Sequence, residues 1–403
     1  MKRLNVHYHG LKVGQLAEGR EGIFFEYDAG FVAAGHELSP LYLKNVRGVL
    51  ARESPPSFRL PGLFEDSLPD RWGRRVMAEW FRSQGTPEHA VTPLMMLAYV
   101  GQRGMGALTF QPDLEIPPAA DQLSLVDLHE AARQAEKSGV IDLAMLAEIG
   151  SSAGGARPKA LIALPRSGDG PVLAGAETIP ASHEAWMVKF DLSRDGTHGR
   201  MEEAYARMAR AAGIDLPESR LLETKHTEGS RWHFAVKRFD REGSARIHHH
   251  TLAAMCHLGG GDLDYETLLR VTRNITKDER EVLRAFRRAV FNVLASNRDD
   301  HGKNHGFLYR NREWKLGPAY DLTFSSAQQM PERGMAIAGE RRAAGAVHLV
   351  KLADREGLER SVVRSITEEV QAAVAKWQVF AEEARLTAID AAEIGNALRG
   401  PRI

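Results

Sequence analysis

The sequence predicts an α+β protein of two lobes, on two observations. Strand-like and helical segments are mixed up to Ile247, and helical text dominates after it. Within the helical half, a loop dense in ionisable and amide side chains follows an amphipathic helix and precedes a hairpin that ends on an aspartate.

Taken in order, Gly22 to Tyr27 and Ala107 to Phe110 read as short strands, and Asp70 precedes a helix over Arg71 to Arg82 with Trp72, Val76 and Trp80 at helical spacing. The Pro-bearing stretch Gln111 to Ser124 marks a boundary. Leu125 to Ala147 reads as a helix, interrupted by the small-residue loop Gly150 to Gly155. Strands follow at Ala160 to Leu164, Trp186 to Phe190 and His233 to Phe239. Between the last two lies a helix over Met201 to Ala212, closed by Gly213. Thr276-x-x-Glu279 reads as a capping box opening a helix whose apolar face is Val282, Leu283, Phe286, Val290, Val293 and Leu294. A hairpin with strands near Phe307 to Tyr309 and Trp314 to Leu316 comes next, then helices from Glu356 to Leu398. No internal repeat or low-complexity segment is present.

With 403 residues, 43% hydrophobic and 26% charged, the chain has enough apolar content for two or three domains, which excludes disorder and fibrous structure. Lys plus Arg and Asp plus Glu both number 53, so no global charge draws the protein to nucleic acid or anionic membrane. The single cysteine, Cys256, makes neither an internal disulfide nor a thiolate zinc site and reads as a small core residue in a reducing compartment. The N-terminal residues lack the apolar core of a secretory signal, and no apolar run approaches the ~18 residues of a membrane span. A cytoplasmic protein is expected.

The loop Asn297-Arg298-Asp299-Asp300-His301-Gly302-Lys303-Asn304 carries the chemistry. Seventeen residues after Asn304, past the hairpin, stands Asp321. A hairpin returns the chain to its start, so Asp321 can face Asn304. Phosphoryl transfer needs a carboxylate to take a hydroxyl proton, and an amide oxygen and a second carboxylate to hold Mg²⁺ on a triphosphate. Asp299, Asn304 and Asp321 fill those roles in that order. His301 orients the Asp299 carboxylate or the loop, or fills a packed position. The loop Ser151 to Lys159 either exposes successive N–H groups to phosphate or is an ordinary connector; it lacks the Gly-Lys-Ser/Thr ending of a Walker A loop. Lys189 and Lys237 compete to pair with phosphate, and sequence position favours Lys189, which precedes a helix offering Glu202 and Glu203 as ion-pair partners.

In Leu60-Pro61-Gly62-Leu63-Phe64-Glu65-Asp66-Ser67-Leu68-Pro69-Asp70, Gly154 to Lys159, Val188-Lys189, Val236 to Arg241, Asn297 to Asn304 and Pro318 to Asp321, the chain resembles the HipA-like serine/threonine kinases, toxins of bacterial type II toxin–antitoxin pairs. The resemblance spans almost the whole chain. It implies a two-lobed, protein-kinase-like α+β fold with a HipA-type N-terminal subdomain (1–110), a nucleotide-binding N-lobe (125–245) and a helical C-lobe (246–403). It implies Asp299 as catalytic base, assisted by His301, Asn304 and Asp321 as Mg²⁺ ligands, and ATP held by Ser152, Ala153, Gly154, Gly155, Ala156, Lys159, Lys189 and Glu202. Lys237 and Phe239 would meet adenine through their main chain. Ser152, or the adjacent Ser151, is the implied autophosphorylation site. A small helix-turn-helix, HipB-like antitoxin is the implied partner, with operator DNA reached only through that complex and no membrane involved. The implied substrate is a protein of translation, aminoacyl-tRNA synthetases among the candidates.

Two other readings stand beside this one. A related fold can phosphorylate a small molecule or lipid, and a catalytically silent chain can serve as an antitoxin-binding scaffold, though a scaffold does not need three metal-site polar groups. The row Arg270, Arg273, Lys277, Arg280, Arg284 and Arg287 reads as a solvated face balanced by Asp278, Glu279 and Glu281 rather than a DNA dock. His248-His249-His250 reads as a surface or loop cluster, since three consecutive side chains cannot all reach one ion.

Overall fold

The computed structural model describes residues 1–20, 22–50, 58–114, 124–138, 157–168, 170–174, 179–227 and 229–399. Two compact units emerge, each assembled from separate stretches of chain: Met1–Leu192 with Leu222–His250, and Ser193–Leu221 with Thr251–Ile403. The glycine-rich loop through Ala156 lies outside the described residues.

In the first unit, β1 (Arg3–Tyr8), β2 (Leu11–Gly19), β3 (Gly22–Tyr27), β4 (Val49–Leu50) and β5 (Leu108–Gln111) form an antiparallel sheet in the order β4-β3-β2-β1-β5. Leu4, Val6 and Tyr8 alternate with more exposed residues, the period of a half-buried strand. Short helices α1 (Ala29–Ala34) and α2 (Gly62–Glu65) lead to α3 (Arg71–Ser83), which buries Trp72, Val76, Met77, Trp80 and Phe81. The N-cap of α3 is Asp70, whose carboxylate accepts from Gly73 N at 2.6 Å. Helix α4 (Pro93–Val100) follows with Thr92 as N-cap, then α5 (Leu125–Ser138). The remainder of the expected 125–147 helix lies outside the described residues.

A second sheet combines β6 (Lys159–Pro165), β7 (Leu173–Ala174), β8 (His183–Lys189), β9 (Ser219–His226) and β10 (Gly229–Lys237) in the order β7-β6-β8-β10-β9. Leu128, Ala131, Ala132 and Ala135 of α5 and Trp72 and Val76 of α3 pack on Ala160, Ile162, Leu164, Trp186, Val188 and Ala235 to form its core. The small alanine stripe of α5 allows close approach to the strands.

A buried carboxylate fixes the exit of β10. Asp240 accepts from Arg238 (2.9 and 2.8 Å), Arg241 (2.5 Å) and Gly106 N (2.7 Å). Arg241 and Arg246 in turn donate to the carbonyls of Gly104 and Gly106. The turn before β5 is thus gripped by the end of the second sheet.

The three consecutive histidines correct an expectation. They form a strand, His248–Thr251, in which His248 and His250 are buried. His248 bonds Leu38 O (2.9 Å), and burial among its neighbours pushes its pKa down to about 3. His250 Nδ1 meets Asp66 at 2.7 Å and its Nε2 meets Ser39 Oγ at 3.2 Å. This acid–imidazole–hydroxyl chain has the order of a hydrolytic triad, but Ser39 is 1% exposed, so it ties the fold together and no substrate reaches it. The sequence reading failed because a buried polar network satisfies histidines that composition alone assigns to the surface.

The second unit begins with α6 (His198–Ala211), after which Gly213 takes φ +74°. Helix α7 (Leu252–Met255) leads to α8 (Tyr265–Thr276) and α9 (Glu279–Leu294). Thr276 does not open α9. It bonds back to Thr272 O at 2.7 Å, Lys277 takes a left-handed φ of 54°, and Asp278 caps the new helix through Arg280 N. A sharp turn between two helices gave the same residue pattern as a capping box. The apolar face of α9 is buried as expected at Val282, Phe286, Val290, Val293 and Leu294. The basic row is internally neutralised: Arg270 and Arg273 meet Glu356, Arg280 meets Asp278, Arg284 meets Asp215 and Glu281, and Arg287 meets Glu369. The hairpin Gly306–Arg310 and Glu313–Leu316 is in register Phe307 to Leu316. Helices α10 (Ala346–Arg355), α11 (Arg360–Val374), α12 (Trp377–Glu383) and α13 (Ala388–Leu398) complete the unit. Cys256 is buried, and burial pushes its thiol up to about 12, as befits a core residue. Among the described residues no helix is long and apolar enough to cross a membrane.

Asp240→Asn leaves two buried arginines short of a counter-charge, and breaking such a pair costs about 3–5 kcal/mol; urea unfolding should show the loss as a lower midpoint. The guanidiniums hold the Asp240 carboxyl far below the usual range against its burial. Its stabilising effect is therefore full above the unfolded pKa of about 4 and fades as pH falls below it, so the wild-type advantage over the variant should shrink in acid.

Candidate functional site

The catalytic-type loop of the second unit is built around a carboxylate that the sequence reading passed over. Asp300 is buried and accepts from Tyr265 Oη (2.8 Å), Arg333 Nη1 (2.8 Å) and Gly334 N (2.9 Å). Burial pushes its pKa up, with Arg333 and Tyr265 pulling the other way. Asn292 donates to Tyr265 Oη and accepts from Asn297 Nδ2, extending the network to the end of α9. Asp299 thereby points away from the core, with a side chain 45% exposed. His301 Nε2 lies 3.5 Å from Asp299 Oδ1, within reach to orient it, while its Nδ1 is buried.

Gly302 carries the loop into a tight 3₁₀ turn, Gly302–Asn304. A Cβ there would come within 2.3 Å of Leu263 Cδ1, so any larger residue would have to displace the Leu263 side chain. Asn304 Nδ2 donates to the Asp299 carbonyl at 2.7 Å. With the amide nitrogen so committed, its oxygen is the end presented for ligation. Tyr320 Oη donates to Lys303 O at 2.8 Å, which brings the residue before Asp321 onto the same turn. Asp321 adopts φ +53°, a left-handed conformation uncommon outside glycine. The amide oxygen of Asn304 and the carboxylate of Asp321 are hard donors suited to a hard cation. Among the described residues no group of three or more His, Cys, Asp or Glu is arranged to hold a metal ion.

The other predicted cluster lies on the second sheet of the first unit. Lys159 on β6 stands directly opposite Lys189 on β8, which in turn stands opposite Phe234 on β10. Both lysines are buried, 3% and 8% exposed. Paired like charges are costly in such a position unless anions compensate them. For Lys159 the compensation is Asp70, at 2.5 Å from its ammonium. Asp70 had been read only as the start of a helix; it is both the cap of α3 and the counter-ion of the loop lysine. Lys189 Nζ lies 5.7 Å from the centroid of the Phe234 ring. The Lys237 side chain pairs with Glu184 at 2.6 Å, and Phe239 is half-buried with its ring against His249. On α6, Glu203 is engaged by Arg207 and Ser219, whereas Glu202 is buried at 5% exposure. Ser151, Ser152, Ala153, Gly154, Gly155 and Ala156 lie outside the described residues.

Antiparallel sheet with buried lysines in one unit, and in the other a helical body whose Asp299 and Asn304 share one short turn, define a two-lobed α+β protein of the protein-kinase-like fold class. Family comparison is in accord. Residues 4–111 match the HipA N-terminal domain and residues 151–377 the HipA-like C-terminal domain, so the chain belongs to the HipA family. It is 26% identical over 338 residues to a Sinorhizobium fredii protein named "Putative kinase Y4dM", covering 79% of this chain and 76% of that one. A second Sinorhizobium fredii protein, "Putative kinase Y4mE", is 26% identical over 361 residues, 83% and 80% of the two chains. Among solved structures, a chain of the Shewanella oneidensis MR-1 toxin–antitoxin complex of HipA, HipB and its operator DNA superposes with a TM-score of 0.69 at 17% identity, over 98% of this chain and 95% of that one. That likeness establishes the fold.

Asp70→Ala removes a helix cap, worth about 1 kcal/mol, and the carboxylate beside a buried lysine, worth about 3–5 kcal/mol more. Thermal unfolding of Asp70→Ala should show a large drop, and adding Lys159→Met should restore much of it, because the double variant no longer buries an ammonium that has lost this carboxylate.

Proposed function

We propose that the protein is an ATP- and Mg²⁺-dependent serine/threonine protein kinase, the toxin of a type II toxin–antitoxin pair. The observation that carries this reading is the anchoring of the Asn304 amide nitrogen on the Asp299 main-chain carbonyl, which holds the residue that carries the exposed carboxylate and the residue that carries the amide oxygen in one short turn. Asn304 and Asp321 would hold Mg²⁺, which offsets the charge of the triphosphate when bound. Asp299 then takes the proton of a Ser or Thr hydroxyl as its oxygen bonds to the γ-phosphorus and the bond to the ADP oxygen breaks. His301 holds the accepting carboxylate in line. Lys189, Lys159 and the loop Ser152 to Ala156 bind the phosphates, with the main chain of Lys237 and Phe239 meeting adenine.

Autophosphorylation at Ser152, or Ser151, would bring about two negative charges to the loop that cradles phosphate and so switch nucleotide binding off. The HipA, HipB and operator DNA assembly of the structural relative supports a small HipB-like, helix-turn-helix antitoxin as partner, with DNA contacted through it. The balanced charge and the internally paired basic row agree with a chain that does not itself seek DNA. A translation protein such as an aminoacyl-tRNA synthetase is the proposed acceptor, and the cytoplasm the proposed location.

Incubation with ATP and Mg²⁺ followed by intact mass and peptide mapping tests the reading. Phosphate should appear on Ser152 or Ser151 in the wild type and fall by about 10²–10⁴-fold in rate in Asp299→Ala. If the dephosphorylated wild type neither gains phosphate nor binds ATP in a titration, the protein is an antitoxin-binding scaffold instead.

A further inference from the structure

The segment Met330–Arg342 is stitched to the catalytic-type loop by donors from one side and by lack of space from the other. Arg298, the neighbour of Asp299, gives Nε to Met330 O (2.6 Å) and Nη2 to Pro331 O (2.6 Å) and Arg342 O (2.8 Å). Gly334 N returns a bond to Arg298 O at 2.9 Å. A Cβ on Gly334 would lie 2.3 Å from His301 N, so the two backbones are in direct contact. Arg333 reaches under the loop to Asn297 O and Asn292 O, and Arg341 ties the far end to Gly334 O and Gly261 O.

This clamp borders an open cleft of about 410 Å³ beside the proposed base. Its lining includes Asp299, His301 and Lys303 from the loop, and Met330, Glu332 and Arg341 from the clamped segment. One wall is therefore loop and the opposite wall is the segment that Arg298 holds. The partners Arg298 reaches are main-chain carbonyls, which neither titrate nor take a modification, and a planar guanidinium that spans three of them fixes their spacing.

We propose that Arg298 is a positioning residue that fixes Met330–Arg342 as a ready-built wall for the phosphate acceptor. The proposal rests on the kinase reading above. It assigns the cleft to the hydroxyl-bearing chain and leaves the nucleotide to the other elements. Opening the wall should then weaken acceptor use while nucleotide affinity holds, because orientation of the hydroxyl, and not binding of the triphosphate, depends on it.

The test compares wild type, Arg298→Ala and the milder Arg298→Lys as full-length protein. Hydrogen–deuterium exchange should accelerate at least tenfold at the amides of Met330–Arg342 in Arg298→Ala, with the hairpin Gly306–Leu316 unchanged and Arg298→Lys intermediate. With myelin basic protein as acceptor probe, kcat/KM for the acceptor should fall at least tenfold through KM, and the Kd of a fluorescent ATP analogue with Mg²⁺ should stay within threefold. Unaltered exchange across the segment overturns the clamp. A parallel loss of nucleotide affinity and transfer overturns the acceptor assignment. If the wild type transfers no phosphate to the probe or to itself, the kinase reading and the acceptor role fall together, and exchange still distinguishes that outcome from the absence of a clamp. Should Arg298→Ala not fold, the same comparison is read from Arg298→Lys, with at least a threefold acceleration expected.

Discussion

The geometry of the site depends on a charge placed where water cannot reach it. Asp300 is 1% exposed, and a carboxylate in that position must collect donors or unfold its surroundings. It collects three of them from two separate stretches of the second unit: Tyr265 on α8, and Arg333 and the Gly334 amide on the later segment. Those bonds leave the preceding residue, Asp299, facing outward and the following turn pressed against Leu263. The acid that does no chemistry thus sets where the neighbouring acid points.

In the first unit the corresponding constraint is excess positive charge. Two lysines share one face of adjacent strands with almost no solvent, a surface with intrinsic affinity for anions. Asp70 serves one of them from the N-terminus of α3, so the end of the Leu60–Asp70 stretch is physically tied to the lysine sheet. The N-terminal subdomain and the sheet are also joined at Asp240, where three arginine and glycine groups converge on a second buried acid. Buried aspartates, each ringed by donors from distant parts of the chain, do the work of joining.

Much of this was legible in the sequence. Strands β6, β8 and β10 of the second sheet, the helix after Asp70, the apolar face of α9 and the hairpin after Asn304 follow from periodicity and turn residues, whereas β7 and β9 were not legible. Asp299, Asn304 and Asp321 could be singled out because their spacing matches a chemical requirement. What escaped was long-range pairing. Nothing local tells that Asp70 will meet Lys159, 89 positions away, or that Arg333 will reach Asp300. The histidine strand misled for the same reason, since Ser39, Leu38 and Asp66, which satisfy it, lie some two hundred residues upstream. Thr276 and Glu279 misled locally, because a left-handed Lys277 splits what looked like one helix start into a stop and a start.

The division of the chain into units has a bearing on how it is made. The first unit draws on residues up to His250, yet Ser193–Leu221 within that span belongs to the second. During synthesis strands β9 and β10 of the second sheet emerge only after helix α6, whose own partners, such as Ala295 for Tyr205, are still to come. The nascent chain must therefore carry an orphan amphipathic helix while it closes its first core, a stage at which apolar surface is exposed and premature association is a hazard. Such a protein gains from having a binding partner, or a chaperone, present while translation is still in progress.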